Sequence, residues 1–258
     1  GTYTPTAGVE DATNVLTLGT TWTDTAGNAY GGASTDTANF TIDTTAPTVG
    51  TFTMTDTALK SGETSTVTIV FSEAVTGFSS DADVTAQNGT LAAMTSEDNI
   101  TWTGTYTPTA GVEDATNVLT LATSYTDVAG NAGPSATTAN FTIDTTAPTV
   151  GTFTMTDTAL KSGETSTVTI VFSEAVTGFS SDADVTAQNG TLAAMTSEDN
   201  ITWTGTYTPT AGVEDATNVL TLGTTWTDTA GNAYGGASTD TANFTIDTTA
   251  PTVGTFTM

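Results

Sequence analysis

Hydrophobic and polar positions alternate with a period of two through most of the chain. Over residues 100–107, Ile100, Trp102 and Tyr106 share one parity with Gly104, and Thr101, Thr103, Thr105 and Thr107 take the other. A strand with one buried and one solvated face has this pattern, because successive side chains point to opposite sides of the pleat. Val67, Ile69 and Phe71 alternate with Thr66, Thr68 and Val70, and Phe52 and Met54 flank Thr53. Leu119 and Leu121 flank Thr120, and Phe141 and Ile143 flank Thr142. Threonine suits the solvated face because its β-branch fits an extended backbone. The turn-forming stretches LKSGE, QNGT, SEDN, AGVED and AGNAGP separate these runs. The pattern predicts strands A at 48–55, B at 65–72, C at 84–86, a short pair around 91–94, E at 100–107, F at 117–123 and G at 138–144. Phe71, Trp102, Tyr106, Leu119, Phe141 and Ile143 are the expected core.

The same words return along the chain. Gly50 to Leu121 recurs unchanged as Gly151 to Leu222, and Gly1 to Met54 recurs as Gly205 to Met258. Pro47, Pro148 and Pro251 mark the unit length, with spacings of 101 and 103 residues. The units differ mainly where TSYTDVAGNAGPSATTANF in one becomes TTWTDTAGNAYGGASTDTANF in the other, which reads as a variable polar loop on a constant strand frame. About seven strands in about 100 residues is the arithmetic of an immunoglobulin-type sandwich. The expected architecture is all-β, with tandem immunoglobulin-like β-sandwich domains in an extended array. Residues 1–46 are the C-terminal part of one repeat, 47–147 and 148–250 are complete repeats, and 251–258 begin the next. The chain thus reads as a window on a longer array, whose units each contact mainly their neighbours.

Charge narrows the chemistry. The 258 residues hold 28 Asp and Glu against 2 Lys and Arg and no His, a formal charge of -26. No basic patch is available to neutralise phosphates, so nucleic acid is a poor partner, as is an anionic membrane surface. No apolar run is long enough for membrane insertion in this window. Without His or Cys, and with its two lysines at equivalent turn positions, the chain has little material for catalysis, so it is expected not to be an enzyme. No disulfide can brace the sandwiches, which leaves a cation held by carboxylates as the natural staple, and hard oxygen ligands suit Ca2+.

The segments APTVGTFTMTDTALKSGETSTVTIVFSEAVTGFSSDADVTAQNGTL, TDVAGNAG and FTIDTTAP resemble the bacterial Ig-like repeats of giant secreted adhesins. Repeats-in-toxin adhesins and biofilm-associated surface proteins are of this type. The resemblance covers the whole chain. It implies type I secretion, an extracellular or bacterial cell-surface location, folding in calcium, and a stalk that carries adhesive modules in surface attachment or biofilm formation. The implied partners are neighbouring repeats of the same chain. The alternative is a self-associating fibre or matrix protein, in which other copies of the chain make lateral contacts between identical faces.

In a seven-strand sandwich the B–C and F–G loops lie on the pole that meets the preceding linker. For the repeat at 47–147 that pole collects Glu73, Asp81, Asp83, Asp127 and Asn131, and the linker IDTTAP adds Asp43. The corresponding set for the next repeat is Asp144, Glu174, Asp182, Asp184, Asp228 and Asn232. These twelve residues are the expected metal ligands. Asp56, Glu63, Glu113 and Asp114 gather with Lys60 on the opposite pole, where Lys60 is expected to screen its acidic neighbours.

Overall fold

The computed structural model describes residues 1–258 as an almost entirely β chain. It divides into two compact units, one of Gly1–Asp56, Ser65–Thr107 and Val118–Asn140, the other of Thr57–Thr64, Pro108–Asn117 and Phe141–Met258.

The second unit contains one complete repeat. Its four-stranded sheet runs in the order Val150–Met155, Ser166–Phe172, Thr202–Pro209, Gly190–Leu192. Phe153, Ile170 and Trp203 stand in register on its inner face, and Thr154, Thr169 and Thr204 on the other. Besides the two-stranded pair of Val176–Thr177 with Thr227–Asp228, the remaining strands form two three-stranded sheets. One sets Phe244–Asp247 between Ala159–Lys161 and Glu214–Asn218, and the other sets Leu220–Leu222 between Val185–Ala187 and Thr239–Asp240. Phe153, Val168, Ile170, Phe172, Tyr207, Leu220, Leu222, Trp226, Phe244 and Ile246 fill one buried core. Side chains from opposed sheets enclose it, as in a sandwich.

Strands F and G, expected as single runs at 117–123 and 138–144, are each shorter and are preceded by a separate short strand in both complete repeats. Leu220–Leu222 is separated from Glu214–Asn218, and Phe244–Asp247 from Thr239–Asp240. The register shifts between Asp215 and Asn218. The buried Asn218 explains the break: its Nδ2 donates to the carbonyls of Asp215 (3.0 Å) and Phe244 (3.2 Å), and its Oδ1 accepts from Asn189 Nδ2 (2.8 Å). A polar side chain thus replaces ladder bonds at the kink.

Two short strands lie inside sequences that read as turns. Ala58–Lys60, which runs into LKSGE, pairs in parallel with Phe141–Asp144, and its Leu59 is 2% exposed. Glu113–Asn117, within AGVEDATN, pairs antiparallel with the other edge of Phe141–Asp144. This three-stranded sheet of the first complete repeat belongs to the second compact unit.

In the first complete repeat, Val49–Met54, Ser65–Phe71, Thr101–Pro108 and Gly89–Leu91 form the four-stranded sheet. Phe71, Tyr106, Leu119, Phe141 and Ile143 are buried as expected. Trp102 is only half-buried; its ring meets Phe78 edge-on at 4.8 Å, and its Nε1 is enclosed without an acceptor. The segment read as a variable polar loop instead supplies a core residue. Tyr125 is 0% exposed in the first complete repeat, as is Trp226, its counterpart in the second. Trp226 packs on Phe172 at 4.4 Å and stacks on Tyr234 at 4.5 Å, whereas the counterpart of Tyr234 is Gly133, which lies against the Tyr125 ring. The two versions therefore differ by a paired exchange of ring and space.

Candidate metal centre

Each compact unit brings three carboxylates together. Asp43, Glu73 and Asp127 each offer an oxygen within 4.8 Å of the others, and Asp144, Glu174 and Asp228 do the same. The strand ladders cause this convergence. Asp144 ends Phe141–Asp144 and lies opposite Glu113 on one side and Lys60 on the other. Asp228 ends Thr227–Asp228 and pairs with Val176, and Glu174 stands two residues before Val176, just beyond Ser166–Phe172.

The loop after Asp228 folds around its carboxylate. Oδ1 accepts from the backbone N–H of Gly231 (2.6 Å) and Asn232 (2.8 Å), and Oδ2 accepts from Asn232 Nδ2 (2.8 Å). Gly231 sits at φ +94°, a conformation that side chains with a Cβ rarely adopt, and this turns its N–H toward the acid. Asp127 is held in the same way by Gly130 and Asn131, at 2.7 and 2.8 Å.

Three acids in a partly dry site repel one another. Burial, followed by the charges of Asp228, Asp144 and Glu113, pushes the Glu174 carboxyl up to about 7. Burial also raises Glu73, with smaller contributions from Asp43, Asp127 and Glu10. Asp144 is raised by burial and by Asp228, against the opposing effect of the Thr146 N–H. Burial acts to raise Asp127 too, but the side-chain and backbone hydrogen bonds of Asn131 and the backbone N–H groups of Gly130 and Ala129 outweigh it and hold the carboxyl below its usual value.

The remaining expected ligands lie elsewhere or are differently oriented. Asp81 and Asp182 are exposed in one-turn helices, Ser80–Asp83 and Ser181–Asp184, outside the carboxylate groups. Asp83 and Asp184 are buried but serve those turns. Asp184 accepts from the Ser180 N–H (2.8 Å) and the Thr225 hydroxyl, and Asp83 from the Ser79 N–H (2.7 Å) and the Ser124 hydroxyl. Asn131 and Asn232 do reach the clusters, but their amide nitrogens face the acids. Glu63 pairs with Lys60 at 3.7 Å, and no metal-sized group of carboxylates forms around that pair.

The three grouped carboxylates in each unit fit a hard divalent cation in charge and ligand type. They supply three negative charges and oxygen donors, and peptide carbonyls and water can complete six to eight ligands.

No curated protein matches the chain. Among solved structures it is similar to the Escherichia coli adhesin FdeC, at 15% identity over 93% of this chain and 88% of that one, with a TM-score of 0.39. It is also similar to an E-to-A variant of titin domains I67–I69, at 11% identity over 79% and 65% of the two chains and a TM-score of 0.41. For the Yersinia pseudotuberculosis adhesin InvE the values are 18% identity, 76% of this chain, 58% of that one, and a TM-score of 0.29. Two consecutive segments, residues 43–143 and 144–246, match the family model described as bacterial Ig-like domain. The chain therefore belongs to the bacterial Ig-like domain family, as tandem Ig-like β-sandwiches.

Proposed function

We propose that these repeats are the extender of an extracellular bacterial surface adhesin, a non-catalytic stalk whose repeat junctions are stiffened by Ca2+. The observation that carries this reading is the convergence, twice in one chain, of a carboxylate from the last strand of one repeat with one from a loop and one from a two-residue strand of the next. Such an arrangement ties an ion to the geometry of the joint. Bound calcium would neutralise the repulsion that raises Glu73 and Glu174; Asp43, Glu73 and Asp127 hold one ion, and Asp144, Glu174 and Asp228 the other. Few cations compete for these acids, since the chain has only two lysines or arginines. A net charge of -26 keeps bare chains apart, which favours a single stalk over lateral bundles.

Calcium titration of the 258-residue chain by calorimetry, alongside its Asp144→Asn variant, tests the reading. Extracellular calcium modules bind at about 10⁻⁴ to 10⁻³ M. The parent is expected to bind two ions in or near this range, and Asp144→Asn to lose one of them while both sandwiches stay folded. Small-angle scattering of the parent should give a longer end-to-end distance with calcium than with chelator. Equal binding by parent and variant, or unchanged scattering, would overturn the junction role. Ordered bundles in electron micrographs with calcium would favour the self-associating fibre.

A further inference from the structure

At the second carboxylate cluster, the preceding repeat contributes more than Asp144. Its turn after Ala58–Lys60 reaches the loop at Gly231–Asn232, where the Ser61 backbone N–H donates to Asn232 Oδ1 at 2.8 Å. The other end of the same amide donates from Nδ2 to the Asp144 carbonyl (2.8 Å), to Asp144 Oδ1 (3.4 Å) and to Asp228 Oδ2 (2.8 Å). Asn232 is 4% exposed. Its neighbours fix its orientation: exchanging O and N would set a donor against the Ser61 N–H and an acceptor against two carboxylates. An amide suits this place because it presents an acceptor and a donor from one short planar group.

The same molecule supplies a comparison. Asn131 makes the corresponding bonds to the Asp43 carbonyl (3.2 Å), Asp43 Oδ1 (3.4 Å) and Asp127 Oδ2 (2.7 Å), and it also reaches the Thr45 carbonyl at 3.2 Å. The linker carbonyl and aspartate bonds of the amide are thus common to both loops. Lys60, beside Ser61, also lies against the Gly231–Asn232 loop, its Nζ close to Gly231.

From these observations we infer that Asn232 is a metal-independent latch, a positioning residue that fastens the Lys60–Ser61 turn of one repeat to the D-x-x-G-N loop of the next. The latch fixes the backbone that carries Asp144 and Asp228 before any ion arrives. It places two hydrogen-bond donors beside the carboxylates and so partly offsets their repulsion. The inference concerns the junction discussed above but does not require calcium to bind there.

Amide hydrogen exchange in chelator tests it without the ion. Ser61 and Ser162 lie in identical sequence, so they are read separately by nitrogen-15 labelling of residues 1–147 in one sample and 148–258 in another. Ser61 is expected to exchange roughly tenfold more slowly than Ser162, as one buried-end hydrogen bond allows. In Asn232→Ala the two should become equal, with Val168 in the central strand keeping its protection as the control for folding. Equal rates in the parent chain would overturn the latch with no variant needed. So would a Ser61 that stays protected in Asn232→Ala. Calorimetry on the parent chain reads calcium separately, so the absence of ion binding leaves this result intact.

Discussion

Replacing Glu174 with Gln should move stability in opposite directions with and without calcium. The Glu174 carboxyl lies at about 7 in the folded protein, against 4.5 for the free group, because burial and three acidic neighbours oppose its charge. Between those values the folded chain holds a proton that the unfolded chain has released, so stability is full below about 4.5 and falls as pH rises to about 7. For a fully buried carboxyl this difference corresponds to roughly 3 kcal/mol; Glu174 is only partly buried, and solvent screening reduces its contribution to the order of 1 kcal/mol. Gln keeps the shape and removes the charge. In chelator at pH 8, the variant should therefore be more stable than the parent by on the order of 1 kcal/mol, with a flatter profile between pH 4.5 and 7. Calcium reverses the comparison. At about 10 mM, an ion with a dissociation constant of about 10⁻⁴ to 10⁻³ M stabilises the folded parent by about 1.4 to 2.7 kcal/mol. A variant missing one ligand loses most of that gain. Thermal melting of both proteins at pH 5 and 8, in chelator and in calcium, reads all four corners. A variant that is less stable than the parent in chelator at pH 8, or that keeps the full calcium gain, would refute the electrostatic argument.

Five other substitutions separate core, turn and site. Trp226→Ala removes a side chain with no exposure and its stack with Tyr234, and should cost about 3 to 5 kcal/mol in chemical unfolding of the second repeat. Trp226→Phe strands the Gly223 carbonyl, which accepts from Nε1 at 3.2 Å, whereas Trp203→Phe removes an enclosed Nε1 that has no acceptor. The first should therefore be the more destabilising, by about 1 kcal/mol. Asp184→Ala frees the Ser180 N–H and the Thr225 hydroxyl and should lower stability by about 1 to 3 kcal/mol while calcium affinity stays unchanged. A large loss of calcium affinity in that variant would bring the helical turn into the site. Gly133→Ala would drive a Cβ into the Tyr125 ring, and melting should report a loss of about 1 to 3 kcal/mol.

Where one face of a strand is buried, the period of two is a local property, and the sequence alone revealed Ser65–Phe71, Thr101–Pro108 and Leu119–Leu121 within a residue or two. The internal identities likewise marked the repeats, and the absence of His and Cys turned attention to oxygen ligands. Ala58–Lys60 and Glu113–Asn117 were hidden because both are defined by pairing with the distant Phe141–Asp144, while their own residues are those of turns. Tyr125 and Trp226 looked like loop residues because nothing adjacent in sequence shows which side chains will enclose them. Asp83 and Asp127 illustrate the same limit at the site: both are acids in polar loops, yet a one-turn helix takes the first and a two-residue ladder delivers the second to Glu73 and Asp43. Spacing along the chain named the acids available to the junction. Non-local strand pairing decided which three meet, and the N–H of Ser61, distant in sequence, decided which end of the Asn232 amide faces them.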